Sequence, residues 1–76
     1  MHSNPATHPG QETVTGLVER VTYFNEENGF CVIRVKSKSR GALITVVGSA
    51  AAINPGEWIE AEGRWVQDRD HGLQFK

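Results

Sequence analysis

Four basic residues fall within seven consecutive positions of the chain: Arg34, Lys36, Lys38 and Arg40. Two more, Arg20 and Arg64, lie on segments that we expect to neighbour them in the fold. Such a cluster suits the phosphates of a nucleic-acid backbone, because each cation that meets a phosphate releases a condensed counterion. It is equally typical of a solvated hairpin whose charges keep a sheet edge soluble. Both interpretations remain open from the sequence.

Two of the aromatic residues are candidates for stacking on nucleic-acid bases. Trp58 alternates in phase with Glu60 and Glu62, which predicts an exposed ring, and Phe30 borders a turn. Trp65 has the opposite phase, and we expect it in the core, which is the default place for an aromatic ring in a small domain. Cations for phosphates and rings for bases are the combination found in single-strand binding grooves.

The remaining chemistry-bearing residues predict no catalytic or metal site. Cys31 shares a strand face with Ile33 and Val35, which indicates a small buried hydrophobe. No C-x-x-C or H-x-x-x-H spacing occurs, so a zinc site is not expected. The acids and the histidine of residues 68–71 are typical of a solvated turn.

Length and charge restrict the class of protein further. The chain has 76 residues, a net charge of −1 and one cysteine, which predicts a single small domain without disulfides. The charge balance argues against a strongly basic nucleic-acid binder. No secretory signal and no long apolar run is present, so we expect a location in the cytoplasm, away from membranes. We also expect the domain to be a monomer. Residues 1–11 are poor in apolar side chains and predict a disordered arm before a domain at residues 12–76.

The elements that must position these residues are β-strands. Alternating or β-branched segments predict five strands, at residues 13–24, 30–36, 42–48, 57–67 and 73–76, and residues 49–53 predict one helical turn. In the first strand the apolar phase shifts from Val14 and Val18 to Val21 and Tyr23, which indicates a bulge near Glu19 and Arg20. This order predicts an all-β protein, a five-stranded Greek-key barrel of the OB-fold type. An SH3-like barrel is the alternative, which the helical turn disfavours.

Several segments carry a resemblance to a known family. They read GLVERVTY at residues 16–23, NEENGFCVIRV at 25–35, VVG at 46–48, NPGEWI at 54–59, GRW at 63–65 and GLQF at 72–75. In this order they resemble the N-terminal domain of RecD-like superfamily 1 DNA helicases, which are similar to the exodeoxyribonuclease V alpha chain. The resemblance implies an OB-fold domain of a larger helicase that uses ATP and Mg²⁺ in DNA repair and recombination. It also implies a chain that continues past Lys76, with the closing strand truncated here.

The chain itself contains no G-x-x-x-x-G-K-[ST] loop for ATP phosphates, so we expect neither ATP hydrolysis nor unwinding by this domain and assign it no cofactor. Two functions remain. The domain is either an accessory module that contacts single-stranded DNA weakly beside the helicase motor, or a module that docks on the motor or on a partner protein without touching DNA.

Overall fold

β-Branched and aromatic residues dominate the strands of this protein. The computed structural model describes residues 11–76, so the predicted arm lies outside the described residues apart from Gln11. The strands are β1 (Glu12–Phe24), β2 (Phe30–Ser37), β3 (Leu43–Ser49), β4 (Trp58–Gly63), β5 (Trp65–Asp68) and β6 (Gly72–Phe75). No helix suited to crossing a membrane occurs within the part of the chain described. The prediction of an all-β protein is confirmed.

The six strands form one sheet in the order β4-β1-β2-β3-β6-β5. Neighbouring strands are antiparallel except β3 and β6, which run parallel. The long first strand pairs with β2 along one edge and with β4 along the other, as the prediction of a strand shared by both halves of the fold requires.

β1 contains two bulges. The first lies where the sequence predicts it: Glu19 has no partner, because the register passes from Val18 directly to Arg20. The second, at Thr22, was not predicted, and the Thr22 hydroxyl donates a 2.7 Å hydrogen bond to the carbonyl oxygen of Val32. Each bulge reverses the phase of the strand. The expectation that Tyr23 continues the inward phase is therefore wrong, and its ring is 50% exposed.

The prediction of five strands closed into a barrel is wrong, because residues 57–67 form two strands, β4 and β5, interrupted at Arg64. The chain bends beside Gly63, where a Cβ would collide with the carbonyl oxygen of Lys76, so only glycine fits this corner. Beyond it β5 pairs with β6, whereas β4 pairs with β1. Within residues 11–76 the edge strands β4 and β5 share no ladder, and the sheet is not closed.

The predicted helical turn at residues 49–53 is also absent from the described structure. Ser49 does not cap a helix but ends β3 opposite Phe30, and the amide of Ala50 donates a 2.9 Å hydrogen bond to the carbonyl oxygen of Gly29. The chain then turns at Asn54, whose amide donates to the Glu57 carboxylate at 3.2 Å. A single helical turn is costly to nucleate, and three alanines do not offset the hydrogen bond that the Gly29 carbonyl oxygen already offers to Ala50.

The core lies on one face of the curved sheet, which we call the inner face. It is built from the buried residues Val14, Val18, Cys31, Ile33, Val35, Val46 and Phe75. The alternation of Cys31, Ile33 and Val35 on β2 thus has the burial that the sequence predicts. The side chains between them point to the opposite, outer face of β1, β2 and β3, and this face carries the candidate site.

Gly16 gives a direct test of the packing between β1 and β2. A Cβ at this position would overlap the carbonyl oxygen of Lys36 and lie 2.8 Å from a methyl carbon of Val35. We expect Gly16→Ala to lower the free energy of unfolding by about 1–3 kcal/mol, the usual cost of overpacking. Each kcal/mol lowers the melting temperature of a domain this small by about 4–8 °C, which calorimetry measures.

Gly48→Ala is the matched control for this substitution. An added Cβ at Gly48 meets no heavy atom within 4 Å, so the melting temperature should change little. Equal destabilisation by the two substitutions would contradict the argument from close packing at Gly16.

Candidate nucleic-acid interface

Three basic side chains share the outer face at the centre of the sheet. Arg20 on β1 lies directly opposite Arg34 on β2, and Lys36 follows two residues further along β2. We call these three residues the basic track. Like charges on directly opposed residues destabilise a sheet, and here none of them is neutralised. Among residues 11–76 the one ion pair within 4.0 Å joins His71 to Asp68, so no carboxylate forms an ion pair with the track, although exposed Glu19 is the chain neighbour of Arg20.

The acidic residues of the neighbouring strand lie apart from the track. Glu60 and Glu62 are on β4 and pair with Thr15 and Thr13 of β1. Since β1 separates β4 from β2, at least one full strand lies between these carboxylates and the side chains of β2. The outer face therefore has a basic centre and an acidic edge.

A groove opens beside Arg34 of the track, near the turn between β2 and β3. It has a volume of about 560 Å³ and is lined by Arg34, Arg40, Ala42, Leu43, Ile44, Thr45, Trp65, His71 and Leu73. We call it the Trp65 groove. The guanidinium carbon of Arg40 lies 4.3 Å from the centroid of the Trp65 ring. The turn is anchored by buried Ser37, whose hydroxyl accepts a 3.2 Å hydrogen bond from the Arg40 amide.

Trp65 belongs to the core and to this groove together. Its ring meets Phe75 edge-on at a centroid distance of 5.1 Å, in keeping with the predicted core position. Its indole N–H donates a 3.3 Å hydrogen bond to the Glu12 carboxylate. One face of the ring is covered by Arg40, a contact that sequence reasoning missed. No spacing signals it, because the two residues meet only through the parallel pairing of β3 with β6.

Arg34 connects the track to the groove. Its side chain is half-buried, and its Nε is buried with no hydrogen-bond partner among residues 11–76. Buried donors are normally satisfied, so this unpaired Nε, which is closed to solvent, is an exception among the described residues.

Two exposed aromatic rings lie at one end of the track. Phe30, a predicted stacking residue, is 40% exposed, and its ring centroid lies 6.0 Å from that of Tyr23. Tyr23 was missed because its phase depends on the second bulge. The polar residue Thr22, between the apolar residues Val21 and Tyr23, is the one sequence feature that indicates the second bulge.

The other predicted site residues lie outside the basic track. Lys38 is exposed in the β2–β3 turn, where its amide donates a 2.8 Å hydrogen bond to the carbonyl oxygen of Thr15. Arg64 is exposed at the corner between β4 and β5. Trp58 is 57% exposed, as its phase predicts, but it lies on β4 beside Leu17. The six cations therefore do not form one continuous patch.

No metal-binding group appears in the described part of the chain, where no three His, Cys, Asp or Glu side chains come together. Burial raises the pKa of the Cys31 thiol, and a hydrogen bond with the Gly48 backbone only partly opposes this. The thiol is therefore a poor nucleophile at neutral pH, because the thiolate is the reactive form.

The unclosed antiparallel sheet, its parallel β3–β6 pair and the open face of β2 and β3 define an OB-fold. The family model of the OB-fold domain of the ATP-dependent DNA helicase YrrC matches residues 11–76, and the chain belongs to this family. The predicted resemblance to a helicase OB-fold domain is thereby confirmed. No curated protein and no solved structure matches the chain.

The polar turn between β5 and β6 predicts a pH dependence. The Asp68 carboxylate accepts backbone hydrogen bonds from Asp70 at 2.8 Å and His71 at 3.0 Å, and lies 3.1 Å from the His71 ring nitrogen. The Asp70 amide and then the His71 side chain lower the pKa of Asp68 below its ordinary value of 3.8. The ionised carboxylate thus stabilises the turn above that pH, and this contribution is lost as the pH falls through the lower, folded-state pKa.

We expect the Asp68 carboxyl carbon to titrate below pH 3.8 in an NMR experiment, with the amide resonances of residues 70 and 71 shifting in step. Asp68→Ala should abolish the coupled amide shifts and speed amide exchange in the turn at neutral pH. Asp70→Ala removes the same charge but leaves the acceptor in place, so it is the control. An Asp68 midpoint at or above 3.8 would contradict the proposed hydrogen bonding.

Proposed function

We propose that this OB-fold domain binds single-stranded DNA weakly through the basic track, as an accessory to an ATP-dependent DNA helicase of the RecD-like type. The observation that carries the proposal is the direct opposition of Arg20 and Arg34 on an exposed sheet face, with no carboxylate within 4.0 Å of either among residues 11–76. A phosphate between the two guanidinium groups relieves their repulsion. Lys36 extends the positive strip in the direction of β2.

Single strands fit this face better than a duplex. The exposed rings of Tyr23 and Phe30 offer π-surfaces at one end of the track, and only unpaired bases expose their own faces for stacking. Reading a duplex in the major groove takes a helix or a projecting β-ribbon. Residues 11–76 contain no helix, and the track lies on the central strands β1 and β2 rather than on a projecting ribbon.

In this proposal the domain supplies DNA contact and the rest of a longer helicase chain supplies the chemistry. The motor domains of that chain bind ATP and Mg²⁺. The helicase acts in the cytoplasm, and the OB-fold domain acts as a monomer. Weak binding is sufficient for such a role, because a tethered module meets the strand at an effective concentration of about a millimolar. Repair and recombination are the processes in which a helicase of this type would act.

Salt dependence tests the proposal. Three to four phosphate contacts predict a log–log slope of roughly −2 to −3 for affinity against salt, and a dissociation constant of about 100 μM at physiological salt. The double variant Arg20→Ala, Lys36→Ala should reduce the magnitude of the slope by about 1.4, since each cation contributes about 0.7 for single strands. Fluorescence anisotropy of a labelled oligothymidine of about eight nucleotides measures both quantities.

The matched control is the double variant Arg64→Ala, Arg69→Ala, at exposed residues outside the track. It removes the same charge, and the slope should stay near that of the unaltered domain. Equal effects of the two variants would show that binding follows net charge alone. The absence of any binding at about 20 mM salt, where electrostatic contacts are strongest, would refute the proposal.

A second candidate function is docking on protein, and one observation favours it. Trp58 lies directly opposite Leu17 on the outer face, with 57% and 39% of their surfaces exposed. Neighbouring Glu60 and Glu62 carry charge that repels phosphate, so this pair suits a protein surface better than DNA.

Trp58→Ala separates the two functions. If the Trp58 ring stacks on bases, oligothymidine affinity should fall about 5-fold or more at every salt concentration alike, because stacking is not screened by salt. If the ring serves docking on protein, the same anisotropy titrations should be unchanged. Phe30→Ala, at a ring beside the track, is the comparison substitution and should weaken binding.

A further inference from the structure

We propose that the Trp65 groove binds one nucleotide of the single strand, with its base stacked on the indole of Trp65 in the place that the Arg40 guanidinium occupies in the free domain. The adjacent phosphate lies against Arg34. This inference rests on the proposed function and extends it, because it adds a base-binding residue that lies outside the basic track.

Trp65 is held as a rigid platform. Its edge packs on Phe75, with an angle of 69° between the ring planes, and its N–H is tied to Glu12. The ring therefore has little rotamer freedom to lose when a ligand stacks on it, which lowers the entropic cost of binding. The face under Arg40 is covered by an exposed turn residue, and both Trp65 and Arg40 line the groove.

Arg40 is suited to being displaced. Its side chain is exposed, lies on a turn and has no carboxylate within 4.0 Å among residues 11–76. A guanidinium and a base are both planar and both stack on aromatic faces, so one can replace the other. An exposed cation–π contact is weaker than base stacking, and the displaced guanidinium regains an interaction when it meets a phosphate oxygen.

The groove also supplies a donor and apolar walls. Arg34 lines the groove, and the N–H groups of its guanidinium can donate to a phosphate oxygen, which is a charged acceptor. Leu43 and Leu73, both exposed, line the groove and can cover the sugar. The volume of about 560 Å³ is within the range of small-ligand sites and suits one nucleotide.

Tryptophan fluorescence tests the inference, because the chain has only two tryptophans. In Trp58→Phe the emission comes from Trp65 alone, and in Trp65→Phe from Trp58 alone. Unlabelled oligothymidine should quench the Trp65 emission strongly, with the same dissociation constant that anisotropy gives for the labelled strand. Trp58 emission in the second variant should change little. Trp65→Phe retains a ring against Phe75, and its amide spectrum verifies the fold.

Two further measurements sharpen the result. Arg40→Ala uncovers the indole, so quenching by oligothymidine should persist. The magnitude of the log–log slope of affinity against salt should decrease by about 0.7, because one phosphate contact is lost. Arg40→Lys retains the charge and should restore the slope. A polyglutamate peptide is the second probe, and it should leave the Trp65 emission unaltered.

The outcomes distinguish failure of this inference from failure of the proposed function. Binding seen by anisotropy without quenching of Trp65 overturns the inference alone, because the strand then lies elsewhere on the face. No binding by anisotropy overturns both proposals. Quenching by polyglutamate as strong as that by oligothymidine also overturns the inference, since the groove then accepts acidic peptides in general.

Discussion

The close approach of β1 and β2 at Gly16 is the constraint on which the rest of the sheet depends. This residue is paired on both sides at once, with Ser37 of β2 and Ile59 of β4, and no larger residue fits there. A slip of one residue in either ladder would bring a Cβ into the crowded position and turn every side chain to the other face. The single glycine thus fixes two registers, and with them which residues of β1 are buried.

The bulges in β1 determine the chemistry of the outer face. Val18 points inward, so regular alternation would turn Arg20 inward as well. The extra residue Glu19 reverses the phase, and Arg20 therefore lies on the outer face opposite Arg34. The second extra residue, Thr22, reverses the phase again, and Tyr23 therefore also lies on the outer face. The pair of guanidinium groups is thus a product of backbone geometry as much as of residue type.

The alternation of apolar and polar residues within single segments predicted most of the strands and part of the site. It failed where residues distant in the sequence determine the conformation. The bulge at Glu19 and the exposure of Trp58 follow from alternation along one strand, and both were predictable. The corner at Gly63 was not, because the group that excludes a side chain there belongs to Lys76 on another segment. The stacking of Arg40, in the β2–β3 turn, on the indole of Trp65 in β5 likewise arises from pairing between distant strands. The spacing of residues within one segment cannot reveal such a contact.

The net charge of −1 gives a misleading view of this face, because sheet order decides which charges meet. Adjacent strands lie about 4.8 Å apart, so the β4 carboxylates Glu60 and Glu62 are separated from β2 by about 10 Å. That distance is about one Debye length at ordinary salt, and the attraction across it is largely screened. A phosphate in contact with Arg34 therefore experiences this cation and the opposed Arg20 at close range, and Glu60 and Glu62 only weakly. A chain of balanced composition can present a basic surface where the strand order keeps carboxylates such as Glu60 and Glu62 at an edge.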